Sequence, residues 1–136
     1  MLPQNFKSAV DLGLTDKQFE ALRKTLVLLE TGKMRHVPQG GSAGEDRTFA
    51  GQFNMNKWCA RNDCGTIACI GGTAEMIGEL ARDELHAAQI HNRKLRDLFY
   101  PMDAYEWQNI QPSQAATALR SYLTTGDARW DLAVQT

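Results

Sequence analysis

The apolar positions of the chain form one dominant pattern and several smaller ones. From Ile67 onward, apolar or small residues recur at Ile67, Ile70, Gly71, Ala74, Ile77, Gly78 and Ala81. This is the i, i+3, i+4, i+7 rhythm of one helix face. Cys69, Thr73, Met76 and Leu80 make a second row beside it, which leaves Glu75, Glu79 and Arg82 as a single narrow polar stripe. A helix that is apolar around most of its circumference is buried, so the spacing predicts a central helix over 66–81 with other elements packed around it. Gly71, Gly72 and Gly78 each cost about 1 kcal/mol against Ala in a helix interior. Close approach of a neighbouring backbone is the expected return. Just ahead, Asn62-Asp63-Cys64-Gly65-Thr66 is turn-rich. Asp63 or Thr66 is suited to cap the first turn, which sets Cys64 near the positive end of the helix dipole.

Taken in order, the rest of the chain supplies shorter helices. Asn5 to Leu12 supports a helical turn. Thr15-x-x-Gln18 has capping-box spacing and opens a helix over 16–31, with Phe19, Leu22, Leu26 and Leu29 as its core stripe and Gly32 at its stop. Residues 33–52 are rich in glycine and charge and have little periodicity, which predicts a long flexible loop. The weak alternation at Thr48 to Met55 is the only hint of a strand. Residues 83–90 extend the central helix or begin a new turn. Asn92 is placed to cap a helix carrying Leu95, Leu98 and Phe99, which Pro101 closes. Tyr105, Trp107 and Ile110 anchor a linker over 101–111. Pro112 suits the first position of a last helix with Ala115, Ala116, Leu119 and Tyr122, ending at Gly126. Trp130 and Leu132 are expected to dock the tail, 127–136. The expected fold is all-α, one compact helical bundle over residues 1–136, with no internal repeat.

Composition narrows the functional classes. The chain has 136 residues, 43% hydrophobic and 23% charged, as one globular domain requires. A net charge of −1 supplies no general attraction to nucleic acid or an anionic membrane, so neither is an expected partner. No apolar run approaches the ~20 residues of a membrane span. The stretch MLPQNFKSAVDLGL lacks a basic segment followed by an apolar one, so no signal peptide is read there. Three cysteines in such a chain read as reduced thiols. The expectation is a cytoplasmic protein without a cofactor, acting through a protein partner or a second copy of itself.

Phe53-Asn54-Met55, Trp58 and Cys64-Gly65-Thr66-Ile67-Ala68-Cys69-Ile70-Gly71-Gly72 together make a distinctive block. Leu98-Phe99-Tyr100-Pro101, Trp107, Gln114-Ala115-Ala116 and Leu123-Thr124-Thr125-Gly126-Asp127 follow it. From about Asp16 onward the chain resembles a family of small, largely uncharacterised bacterial and phage-associated proteins. It departs from that pattern at Gly72-Thr73, where similar proteins often carry a tryptophan after the glycine. The resemblance implies no activity and no catalytic residue.

Several constellations bear chemistry. Cys59, Cys64 and Cys69 with His36 have the donor types of a Cys3His zinc site, without the Cys-x2-Cys knuckle. The plain alternative is small buried thiols filling space. Cys64 at a helix N-terminus would have its thiolate favoured, and His86, His91 or His36 would then serve as base of a cysteine-dependent hydrolase or transferase. Glu75, Glu79, Arg82 and His86 read as a solvated stripe with an ion pair, rather than as a carboxylate site. Arg93-Lys94-Leu95-Arg96, after His91, is the only basic run and reads as a wet helix face. Gly40 to Gly44 lacks the Lys-Ser/Thr of a phosphate loop. With no assembled catalytic set, the leading expectation is a small interaction or regulatory protein without catalysis, in a host–phage or similar setting. The rivals are the Cys64 enzyme and a zinc-stabilised domain.

Overall fold

The computed structural model describes residues 5–39, 41–43, 48–58, 60–62, 65–101 and 106–134. Helices form where side chains satisfy the free N–H groups at their starts. α1, Ala9–Leu12, is capped by Ser8. α2, Asp16–Glu30, has the expected capping box, with Thr15 and Gln18 each accepting the other's backbone N–H at 3.1 Å. Gly32 follows its end at a left-handed φ of +72°. α6, Pro112–Thr125, opens on its proline and closes on Gly126 at φ +88°.

The chain is nevertheless mixed α/β, not all-α. Among the described residues, five strands lie between α2 and the central helix: β1 Arg35–His36, β2 Ser42–Ala43, β3 Phe49–Phe53, β4 Ala60–Asn62 and β5 Gly65–Ala68. They form one sheet in the order β1-β3-β5-β4-β2. β1, β3 and β5 run parallel, β4 pairs antiparallel with β5, and β2 antiparallel with β4. Residues 33–52 are therefore not simply a loop, since β1, β2 and β3 come from them. The weak alternation at 48–55 is a strand, β3.

The central helix is also shorter than 66–81. α3 spans Ile70–Ile77, and Thr66, Ile67 and Ala68 belong to β5. The physical reason is burial. A short strand covered on both faces is apolar throughout, and it merges with an adjoining apolar helix in a one-dimensional pattern. The β-branched Thr66 and Ile67 suit the strand. Ile67 faces Gln52 on one side and Ala60 on the other, partners that periodicity cannot register. From the turn-rich stretch, Asn62 is instead the last residue of β4 and pairs with Gly65, the first of β5; Asp63 lies outside the described residues. At its other end α3 stops at Gly78, and Glu79 takes φ 54°.

After α3 come α4, Glu84–Ala88, a 3-10 turn over Gln89–His91, and α5, Arg93–Phe99. Asn92 caps α5 through Leu95 N–H at 3.1 Å and donates to the Leu12 carbonyl at 2.9 Å, tying α5 to α1. α3 packs against β3, β5 and α2, while α2 also packs against α6. α7, Trp130–Ala133, lies on α6. The fully buried Trp130 donates its indole N–H to the Leu98 carbonyl at 3.1 Å. Leu132 is 49% exposed, so the tail docks through Trp130 and not through both residues. Among the described residues no helix is long and apolar enough to cross a membrane.

Candidate functional site

Glu75, His86, Trp58 and Tyr100 meet at the junction of α3 and α4. Positioning begins just after β3. Asn54, buried, accepts Asn56 N–H on its side-chain oxygen at 2.8 Å and donates to the Val37 carbonyl at 2.9 Å. The turn it stabilises carries Lys57 over the start of α3, where the Lys57 carbonyl accepts Cys69 N–H at 2.7 Å. Trp58 then lies directly on the glycines. A Cβ on Gly71 would sit 2.1 Å from the indole, and one on Gly72 only 1.8 Å from the Trp58 carbonyl oxygen. The backbone approach expected from the sequence is thus made at Gly72, by the Trp58 carbonyl, whereas Gly71 is met by the Trp58 side chain. Gly78 is met by Ala21 of α2, whose Cβ would be 2.3 Å away.

Glu75 is the centre of this junction. It is 2% exposed, so it belongs to the core and not to a solvated stripe. Its Oε1 accepts the Trp58 indole N–H at 3.1 Å and Asp83 N–H at 3.0 Å. Its Oε2 accepts Leu85 N–H at 2.9 Å and His86 N–H at 3.3 Å. Asp83, the residue before α4, has a left-handed φ of 63° and makes no side-chain cap. Glu75 therefore supplies from α3 the acceptors that α4 lacks locally. Engaged in this way, it is a fastening between two helices and a tryptophan. No local signal announces this role, because all four donors lie outside α3.

His86 stacks edge-to-face with Trp58, ring centroids 4.9 Å apart, and Trp58 meets Phe99 in the same way at 5.1 Å. His86 Nε2 lies 3.2 Å from the Tyr100 hydroxyl, which also accepts from Gln89 Nε2 at 3.3 Å. The Tyr100 ring meets Trp107 at 5.7 Å, and the Trp107 indole N–H donates to the Pro101 carbonyl at 2.8 Å. Trp58, His86, Tyr100 and Trp107 are all half-buried. The result is a linked set of rings, each held by a hydrogen bond or an edge-to-face contact.

The cysteines and remaining histidines fall elsewhere. Cys59 and Cys64 lie outside the described residues. Because α3 begins at Ile70, the cysteine at its N-cap is Cys69, not Cys64. Burial pushes the Cys69 thiol up to about 12, against the opposing pull of the Gly72 and Gly71 N–H groups, so it stays a neutral thiol at physiological pH. His36 Nε2 faces the Gln108 carbonyl at 2.7 Å, and its Nδ1 faces Gln111 Nε2 at 3.0 Å. A carbonyl only accepts, so Nε2 carries the proton and Nδ1 accepts from the amide; both ring nitrogens are in use. His91 is exposed and lines a groove of about 660 Å³ with Lys7, Val10, Arg93, Lys94 and Asp127, where Lys94 and Asp127 form an ion pair. Among the described residues no three His, Cys, Asp or Glu side chains converge as metal ligands.

No family model matches the chain, and no curated protein or solved structure is similar to it. Sequence reasoning missed a second buried polar set as well. Gln52, 1% exposed, exchanges amide hydrogen bonds with Asn62 at 3.0 and 2.7 Å and accepts from Arg35 at 3.0 Å. This set locks β1, β3 and β4 together.

Proposed function

We propose that the protein is an interaction or regulatory module without catalysis. The observation that carries this reading is how the described candidate groups are used. Both Glu75 oxygens hold backbone and indole N–H groups, and the Cys69 thiol is sealed in the core. Acid–base or nucleophilic work needs a group poised to exchange a proton with substrate. These groups instead fasten the fold and hold aromatic rings at its surface. The resemblance to small bacterial and phage-associated proteins favours a host–phage or regulatory setting for such a module.

Alkylation tests the reading. The pH dependence of iodoacetamide labelling is followed at each of the three cysteines in the folded protein, by peptide mass. All three are expected to label slowly at neutral pH, with Cys69 the slowest. A thiolate at Cys64 titrating well below the ordinary ~8.5 would overturn the reading in favour of a cysteine enzyme. Elemental analysis addresses the zinc alternative: no stoichiometric metal is expected. About one zinc per chain, lost together with the fold on chelation, would establish a metal-stabilised domain instead.

A further inference from the structure

The two most exposed large apolar side chains among the described residues lie at one place in the fold. They are Val10, 84% exposed on α1, and Ile90, 65% exposed in the 3-10 turn before α5. Val10 lines the groove of about 660 Å³ described above, and so do Ala88 and His91, between which Ile90 lies in the chain. A single exposed apolar residue is ordinary, but two beside one groove mark a contact surface.

The groove is built before any partner arrives. It lies where α1 ends, α5 begins and α6 ends, and each wall is tied to the next. Lys7 N–H donates to the Leu123 carbonyl of α6 at 2.8 Å, and Asn92 Nδ2 donates to the Leu12 carbonyl of α1 at 2.9 Å. Lys94 of α5 forms its ion pair with Asp127, just after α6. Walls fixed in this way lower the entropic cost of docking.

Charge narrows the occupant. Besides that ion pair the groove carries Lys7, Arg93 and Asp11, all exposed, and none of the three is in an ion pair among the described residues. Positive charge is therefore in surplus, which favours an acidic ligand. A nucleic acid fits less well, because Asp11 would face its phosphates and Val10 and Ile90 have nothing to pair with them. We propose that this groove docks an acidic segment of a partner protein that also carries a large apolar side chain. The carboxylates of that segment pair with Lys7 and Arg93, and its apolar side chain covers Val10 and Ile90. The proposal rests on the reading of the protein as an interaction module and names the chemistry of its partner.

The test is a titration of 15N-labelled protein with the peptide acetyl-Glu-Asp-Leu-Phe-Glu-Asp-amide, read at the backbone amides. Those of Val10, Asp11, His91, Arg93 and Lys94 are expected to shift saturably, while those of the buried Leu22 and Leu26 stay fixed. One control peptide has serine at both apolar positions, and another has glutamine and asparagine in place of the acids. Each should bind about 3- to 30-fold more weakly. Arg93→Glu and Val10→Ser alter exposed side chains and so keep the fold, and each should weaken the acidic peptide about 2- to 10-fold. The proposal is overturned by equal binding of either control peptide, by tighter binding of a ten-nucleotide oligothymidylate, by variants that bind like the wild type, or by no saturable shift. Iodoacetamide labelling of the same sample separates the two readings. Slow thiols without peptide binding overturn this docking chemistry alone, whereas a fast Cys64 overturns the module itself.

Discussion

Replacing Gly72 with alanine adds one methyl group where the structure has no room for it. In a free helix the change would stabilise by up to about 1 kcal/mol. Here the new Cβ would lie 1.8 Å from the Trp58 carbonyl oxygen and 3.0 Å from the Ala68 Cβ. The carbonyl belongs to the backbone, so relief requires the Asn54–Trp58 turn to lift by more than an ångström. That movement strains the adjoining Lys57 carbonyl bond to Cys69 N–H, 2.7 Å long, and the packing of the indole on Gly71. Overpacking of this kind costs about 1–3 kcal/mol, and a weakened hydrogen bond adds about 1. After the helix-propensity gain is subtracted, a net loss of about 1–3 kcal/mol is expected. For a chain of this size that lowers the melting temperature by about 3–5 °C per kcal/mol. Gly71→Ala meets only the far edge of the half-buried indole, a side chain that can swing outward, so its loss should be smaller. Urea unfolding followed by circular dichroism measures both variants. If Gly72→Ala matched or exceeded the wild type in stability, the Trp58 carbonyl would not rest on α3 and the account of the glycines would be wrong.

Three further outcomes follow from the same geometry. Gly78→Ala should destabilise, and Ala21→Gly should partly rescue it, with a coupling of about 0.5–3 kcal/mol from unfolding of the single and double variants; strict additivity would refute a direct α2–α3 contact there. Glu75→Gln keeps one acceptor and turns an amide NH2 toward backbone N–H donors, so a loss of about 2–4 kcal/mol is expected. Amides 83–86 should then exchange with solvent faster relative to those of α2, and unchanged exchange would show that Glu75 does not fasten α4. The Cys69 thiol, raised from 9.0 to about 12 by burial, keeps its proton in the native state while the unfolded chain releases it near 9.0. Its contribution is therefore fully present below about pH 9 and is lost as pH rises toward 12, at up to about 1.4 kcal/mol per pH unit. The stability of Cys69→Ala should fall less steeply than wild type between pH 9 and 10.5, and parallel slopes would mean the thiol is accessible.

What one-dimensional chemistry decides about this protein is local. The Thr15/Gln18 capping box, Gly32, Asn92, Pro112 and Gly126 mark helix ends because each acts on N–H or C=O groups within a few residues of itself. These positions, and so the extents of α2 and α6 and the start of α5, were readable before any tertiary contact was known. The crowding at Gly71, Gly72 and Gly78 was readable too, since a glycine inside a helix needs a neighbour to explain it. The identity of that neighbour was not. Trp58 and Ala21 reach those glycines only through the fold. The sheet was hidden for the same reason. β5 gains its meaning from partners at 49–53 and 60–62, and a buried strand beside a buried helix presents one unbroken apolar run. Glu75 is the sharpest case. Its place beside Glu79 and Arg82 reads as solvent-facing charge, yet Trp58, Asp83, Leu85 and His86 bring four donors to it. Burial of a carboxyl group is decided by where its hydrogen-bond partners end up, and only the tertiary structure brings those partners together.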